Sequence, residues 1–359
     1  MTLRDFDSIP YLPLLELRPA EMVALESLPE KDKDLMLPIF KLGPWVASHE
    51  LKSSVARIGQ SYGTRPAVLA MSDVDPGLVL RPVHEELRGL ASSSNGFEQW
   101  CEYLERPEHA HFVPCAQISN PDQFDAQISR LFGLGRGVAI YIDSLALPFS
   151  EAILSKASSS IGAGEGAIVI MDFGRIIPGR FAIDECFRLF ERAHAILPRA
   201  KISFCGSSFP DSFTNITAQA IEERGIYNKL IASLDFPLIY GDRGSARAER
   251  QSGGGGQPAP RVDYPLRDRW LFHRSEGGGD RQSQYQSMAQ NVVSSPVWDS
   301  KLRIWGTQMI ERTAIGDATA ITSPPRSTAA RINIHLHHQL HYADPFGLYD
   351  TEDDWVDGL

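Results

Sequence analysis

Apolar residues in this chain fall in short, nearly unbroken runs separated by helix-like segments, and the pattern is set between residues 11 and 42 (YLPLLELRPAEMVALESLPEKDKDLMLPIFKL). Residues 11–17 are mostly apolar with Glu16 and Arg18 at their end, residues 20–28 carry apolar side chains at helical spacing, and residues 35–42 are apolar again with Lys41 near the end. Similar strand-like runs recur at 65–71, 111–118, 137–143, 166–173, 201–208 and 236–242, which makes eight. Continuous rather than alternating apolarity is what a strand buried on both faces requires, and it marks a parallel sheet covered by helices. The segments between the runs agree: residues 121–132 (PDQFDAQISRLF) and 184–197 (DECFRLFERAHAIL), for example, have helical spacing with Pro or Asp at the start. Eight alternations predict an α/β fold of the (β/α)8 TIM-barrel type, for which about 250 residues is a usual size. An open doubly wound sheet is the alternative. It would bring a glycine-rich turn after its first strand, and the turn here, LRPAE, has no glycine.

The pattern changes after residue 242. Residues 243–263 are rich in Gly, Arg, Ser and Pro and read as a loop or flexible insertion, and a second such stretch covers 274–284. Between them lies a short apolar run at 270–272. Helix-like segments at 284–293 and 301–312 and the His-containing run at 331–340 then predict an elaborated carboxyl-terminal region, a cap of residues 264–340 on a single domain spanning 1–340. An acidic tail, 341–359, follows, in which Trp355 has the means to dock.

Composition narrows the function classes. With 359 residues, 43% hydrophobic, the chain supports a large core, and a net charge of −10 argues against general nucleic-acid binding, which needs a concentrated basic face. The four cysteines, at 101, 115, 186 and 205, form no CxxC pair and read as reduced thiols of a cytoplasmic protein rather than disulfides or a zinc site. The amino terminus MTLRDFDSIP has neither a basic start nor an apolar core, and no run is long enough to cross a bilayer, so no membrane association is expected.

Chemistry in such a barrel sits at the carboxyl ends of the strands. The polar residues found there are Glu16 and Arg18, Lys41, Asp73, Gln117 and Ser119, Asp143, Asp172, Ser207 with Ser208, and Asp242 with Arg243. Asp143 and Asp172 end consecutive strands and are the candidate catalytic pair, as acid and base or as ligands of a shared cation; the plainer reading makes each a cap for the following turn. Lys41 is the candidate base or Schiff-base nucleophile, weighed against a structural ion pair with Glu16 on the neighbouring strand. Glu16, Arg18, Asp73, Ser207, Ser208, Asp242 and Arg243 are the candidate ligand-binding set, the serines sitting in glycine-containing loops where many barrels hold phosphate. Ser207 lacks the GxSxG elbow, which argues against a serine hydrolase. Four histidines crowd residues 335–341, and on a helix His337 and His341 share a face as metal ligands can, but no Glu completes a zinc-protease pattern, so no metal is assigned.

Tyr11, Pro13, Leu15, Arg18, Glu21, Ala24, Leu25 and Leu28, then Leu37, Pro38, Ile39 and Phe40, and at the other end Arg331, Ile332, Asn333, Ile334, His335 and Leu336, resemble the start and end of the phage "beta protein" family. That resemblance implies a barrel-like protein of phages, prophages and bacterial genomes, with no established reaction to carry over. The family pattern has a basic residue where Glu16 stands, an acidic one at Lys41 and a glycine at Ala20; such a charge exchange favours a paired, structural role for Glu16 and Lys41. The leading expectation is a phage- or defence-associated cytoplasmic protein that binds a ligand or a protein partner at the barrel mouth. The alternative is a hydrolase or lyase acting on a phosphorylated or nucleotide-like small molecule. Whether the protein is an enzyme, and its cofactor, are not fixed by sequence.

Overall fold

A computed structural model describes residues 8–73, 81–248, 259–275, 277 and 280–353. The glycine-rich centre of the expected insertion and Trp355 lie outside these residues. Where the sequence suggests one domain with a cap, the chain divides into two compact units. The first comprises the residues up to Leu17, Met36–Ser207 and Glu222–Arg243; the second comprises Arg18–Leu35, Ser208–Ile221 and the residues from Gly244 onward.

The first unit is the barrel. Its strands are β1 (Tyr11–Glu16), β2 (Ile39–Leu42), β3 (Ala67–Met71), β4 (Phe112–Ala116), β5 (Val138–Ile142), β6 (Ala167–Arg175) and β7 (Lys201–Ser207); β8 (Ala218–Ala220) belongs to the second unit, and β9 (Leu238–Asp242) is the eighth barrel strand. All eight pair in parallel, and β9 closes onto β1 with Tyr11 opposite Tyr240. The eight expected strands are the eight observed, each within a few residues.

Side chains alternate across a strand, so a fully apolar strand must be sorted into inward and outward sets by the barrel itself. Leu12, Leu14, Ile39, Val68, Ala70, Val113, Cys115, Ala139, Tyr141, Ile168, Ile170, Cys205 and Ile239 form one buried cluster, which is the barrel interior. The same inward parity carried to the carboxyl ends reaches Glu16, Lys41, Asp143 and Asp172, each two positions beyond a cluster member of β1, β2, β5 or β6, and Arg243, four positions beyond Ile239 of β9. Gly241 keeps that parity on β9. A Cβ there would meet the Leu12 carbonyl oxygen at 2.8 Å and that of Phe204 at 2.9 Å, both backbone, so only glycine allows this closure.

The second unit has its own sheet and core. Strands β10 (Arg261–Pro265) and β11 (Arg269–Arg274) pair antiparallel, and β11 pairs antiparallel with β8. The composition of 243–263 suggests a loop throughout; instead a strand begins at Arg261, and it joins a sheet with the short β8 at 218–220. Around this sheet lie the helices Pro19–Glu26, Arg281–Val293, Trp305–Ala314 and Pro324–Leu340. The last is buried at every position from Ala329 to Leu340. A helix buried on all sides must satisfy its polar side chains internally. Asn333 does so at both ends of its amide, accepting from the Gly306 N–H and donating to the Ala24 carbonyl, each at 2.9 Å. Gly306 permits this contact, since a Cβ would lie 2.6 Å from the Ala330 carbonyl oxygen.

Candidate functional site

A cavity of about 740 Å³ opens in the barrel unit at the carboxyl ends of β2 to β5. Lys41, Cys115 and Tyr141 line its inner part. Ala70, Met71, Ile118, Phe124 and Ile153 make apolar walls, with Asp73, Gln117, Ser119, Asp143 and Lys156 among the polar lining. Two large apolar side chains on the same lining are open to solvent, Leu145 at 84% and Phe149 at 66% exposure. A concave, mostly apolar space with few polar groups is the usual form of a small-molecule site.

Lys41 is its most informative group. The residue is 8% exposed, and its Nζ stands 4.2 Å from the centre of the Tyr141 ring. Glu16 and Lys41 are register partners on β1 and β2, as adjacent strand ends should be. The expected ion pair between them is nevertheless not made: among the described residues no carboxylate lies within ion-pair distance of Lys41, and the charge of Glu16 acts instead on Arg243. The physical reason is position. Lys41 sits one step from the ring face, where a cation is attracted by the aromatic quadrupole.

The candidate catalytic pair is separated by its hydrogen bonds. Asp143 accepts the backbone N–H groups of Leu145 (3.0 Å) and Ala146 (2.9 Å), which makes it the cap of the turn after β5. Asp172 is fully buried. One of its oxygens takes the Gly174 N–H at 2.8 Å, and the other takes the Tyr141 hydroxyl and the Arg243 guanidinium. Gly174 adopts φ +62° where the β6–β7 register shifts, a bulge that turns the backbone N–H back onto the carboxylate. Burial works against the charge of Arg243, and Asp172 beside it more than restores it, holding the guanidinium above its ordinary value. Burial, reinforced by Asp172, likewise pushes the Tyr141 hydroxyl well up, so it stays protonated and donates. Asp172 thus shares a buried ion pair with Arg243.

The remaining candidates scatter. Asp73 is exposed on the cavity lining. Asp242 has the outward parity of Tyr240, and is fully buried, accepting from the hydroxyls of Tyr11 (2.6 Å) and Tyr240 (2.9 Å). It does not line the mouth cavity, nor do Glu16, Ser207 and Arg243. Ser207 is buried at the end of β7. Arg18 and Ser208 belong to the second unit, where Arg18 pairs with Glu21 at 3.7 Å and Ser208 accepts from the Gln219 amide through its carbonyl. Tyr141 is the site residue that sequence reasoning missed. Its signal was present, a tyrosine two positions before Asp143 on the same strand face.

All four cysteines are free and buried. Burial pushes the Cys115 thiol, on the cavity lining, up to about 12, which leaves it a poor nucleophile.

Among the described residues one trio brings possible metal-ligand atoms within 4.8 Å of one another, Asp32, His337 and His341 in the second unit. His337 Nδ1 lies 2.6 Å from one Asp32 oxygen and His341 Nε2 lies 2.9 Å from the other. Burial raises the Asp32 carboxyl, but the hydrogen bonds from both histidines outweigh it, and the group is held below its ordinary value. An ionised Asp32 only accepts, so His337 donates to it through Nδ1, while its Nε2 lies 2.9 Å from the Leu348 carbonyl oxygen. Its hydrogen bonds tie the end of the helix Pro324–Leu340 to the helix Glu30–Leu35.

His338, the next residue, has no hydrogen-bond partner for either nitrogen among the described residues. Burial, with His337 and His335 adding to it, pulls it down to about 3. A folded value below the unfolded one near 6.5 gives stability that is present above pH 6.5 and lost as pH falls toward 3. Between pH 7 and pH 5 this histidine should cost the fold about 2 kcal/mol. Denaturant unfolding at both pH values checks this: His338→Leu should flatten that dependence, and an unchanged slope in the variant would contradict it.

Eight parallel strands closed into a barrel, with a cavity at their carboxyl ends, define an α/β protein of the TIM-barrel type. A family model described as "Beta protein" matches residues 11–341, and the chain belongs to that family. It is 27% identical to "Protein beta" of Enterobacteria phage P4, covering 98% of this chain and 99% of that protein. No helix among the described residues is long and apolar enough to cross a membrane.

Proposed function

We propose that the barrel mouth binds a small molecule that carries an anionic group on an apolar body, the anionic group meeting Lys41. The carrying observation is the Lys41 ammonium, buried at the inner end of a cavity of about 740 Å³ with an aromatic face beside it and no carboxylate partner among the described residues. A cation removed from water is costly until an anion or hydrogen-bond acceptor joins it, and an incoming ligand supplies one. The apolar walls and the open Phe149 and Leu145 suit the rest of such a molecule. The phage source of the relative supports a phage- or defence-associated role, and the free cysteines support a cytoplasmic setting. The alternative, a hydrolase or lyase on a phosphorylated or nucleotide-like substrate with Asp143 and Asp172 as its acid and base, has less support, because both carboxylates are committed to structural hydrogen bonds.

Lys41→Met separates a binding role from a structural one. Methionine keeps the length and removes the charge, so if the ammonium serves a ligand the variant should be as stable as the parent or more so. A thermal-shift screen against small aryl and alkyl carboxylates and phosphates should find compounds that stabilise the parent and fail to stabilise the variant. Loss of stability in Lys41→Met, together with ligand shifts equal in both proteins, would overturn the proposal.

A further inference from the structure

The second unit holds a cavity of its own, about 420 Å³, with a chemistry unlike that of the barrel mouth. Arg247, Arg261 and Arg274 line it against a single lining carboxylate, Asp211. Behind the wall, Asp263 is shared between Arg261 at 2.7 Å and the buried Arg331 at 2.9 Å. Among the described residues four guanidiniums thus face two carboxylates, a local positive excess in a chain whose net charge is −10. Arg261 registers that excess: burial, aggravated by Arg331 and only partly offset by Asp263, brings it down to about 10. Its guanidinium carbon lies 3.4 Å from the centre of the Phe213 ring, which fixes the plane of the group. Arg274 is exposed and makes no ion pair among the described residues. Ser212, Thr214 and Thr328 add hydroxyls to the lining, and the first turn of the helix Pro324–Leu340 adds the partial positive charge of a helix amino end.

We propose that this cavity binds the phosphate group of a small phosphorylated molecule, independently of the barrel mouth. A phosphate presents several oxygens around one centre and takes charge-assisted hydrogen bonds from more than one guanidinium, whereas a carboxylate is satisfied by a single planar fork. Three arginines on separate backbone segments, with hydroxyls between them, match the first geometry. A volume of about 420 Å³ is within the range of small-ligand sites.

The test is isothermal titration of the full chain with inorganic phosphate and with pyrophosphate at low salt. Saturable binding is expected, weakened about tenfold by Arg274→Ala, as befits the loss of one charged hydrogen bond. Arg274→Lys should fall between the two. Because Arg274 is exposed, Arg274→Ala should melt with the parent, which separates lost binding from lost fold. Lys41→Met removes any contribution of the barrel mouth and should leave the Arg274-dependent phosphate binding in place. The proposal is overturned by absence of saturable binding to the parent, by equal affinity in Arg274→Ala, or by loss of phosphate binding in Lys41→Met, which would put the phosphate in the barrel mouth.

Discussion

Asp172→Ala should lower the unfolding free energy by about 3–5 kcal/mol, the usual cost of leaving one member of a buried ion pair without its partner. The change strands the Arg243 guanidinium, whose side chain is only 13% exposed, and leaves the Tyr141 hydroxyl and the Gly174 N–H without their acceptor. Urea unfolding would show the loss. The double variant Asp172→Leu with Arg243→Met should recover most of it, since apolar replacement of a whole buried pair is often neutral. If Asp172→Ala folded with parental stability, Asp172 would instead be a free functional carboxylate.

A loss of similar size, about 3–5 kcal/mol, is expected from Asp32→Ala in the second unit. Asp32 is fully buried and is the acceptor for both His337 and His341. Without it two imidazoles face an apolar gap. The sign with pH follows from the lowered carboxyl: its stabilisation is complete above its unfolded value near 3.8 and disappears as pH falls through the lower folded value. Asp32→Ala should therefore be destabilised at neutral pH and approach the parent in strong acid. Parental stability at pH 7 would show that the cluster contributes nothing.

The barrel was legible because each of its strands is buried on both faces, so residues 137–143 or 166–173 stand out as short apolar runs between helical segments. The same property hid the orientation of the side chains. A run such as that ending at Asp242 carries no polar alternation, and nothing in it shows that Asp242 turns outward to Tyr11 and Tyr240 while Arg243 turns inward to Asp172. Partners 71 residues apart in sequence, as Asp172 and Arg243 are, are brought together only by barrel closure. The small antiparallel sheet escaped notice because β10 begins at the edge of a Gly-, Arg- and Ser-rich stretch and β8 has three residues. Asp32 gave no signal at all. It stands in EKDKDL, a charge run that reads as a solvated helix face, yet its carboxylate is fully buried.

If Lys41 serves an anionic ligand in the barrel mouth, that ligand should travel with the protein. Native mass spectrometry of the protein purified gently from a bacterial host, beside Lys41→Met prepared in the same way, tests it most directly. A retained small anionic molecule is expected on the parent and none on the folded variant. The same molecule held equally by both proteins would contradict it, and would move the recognition of that ligand away from Lys41.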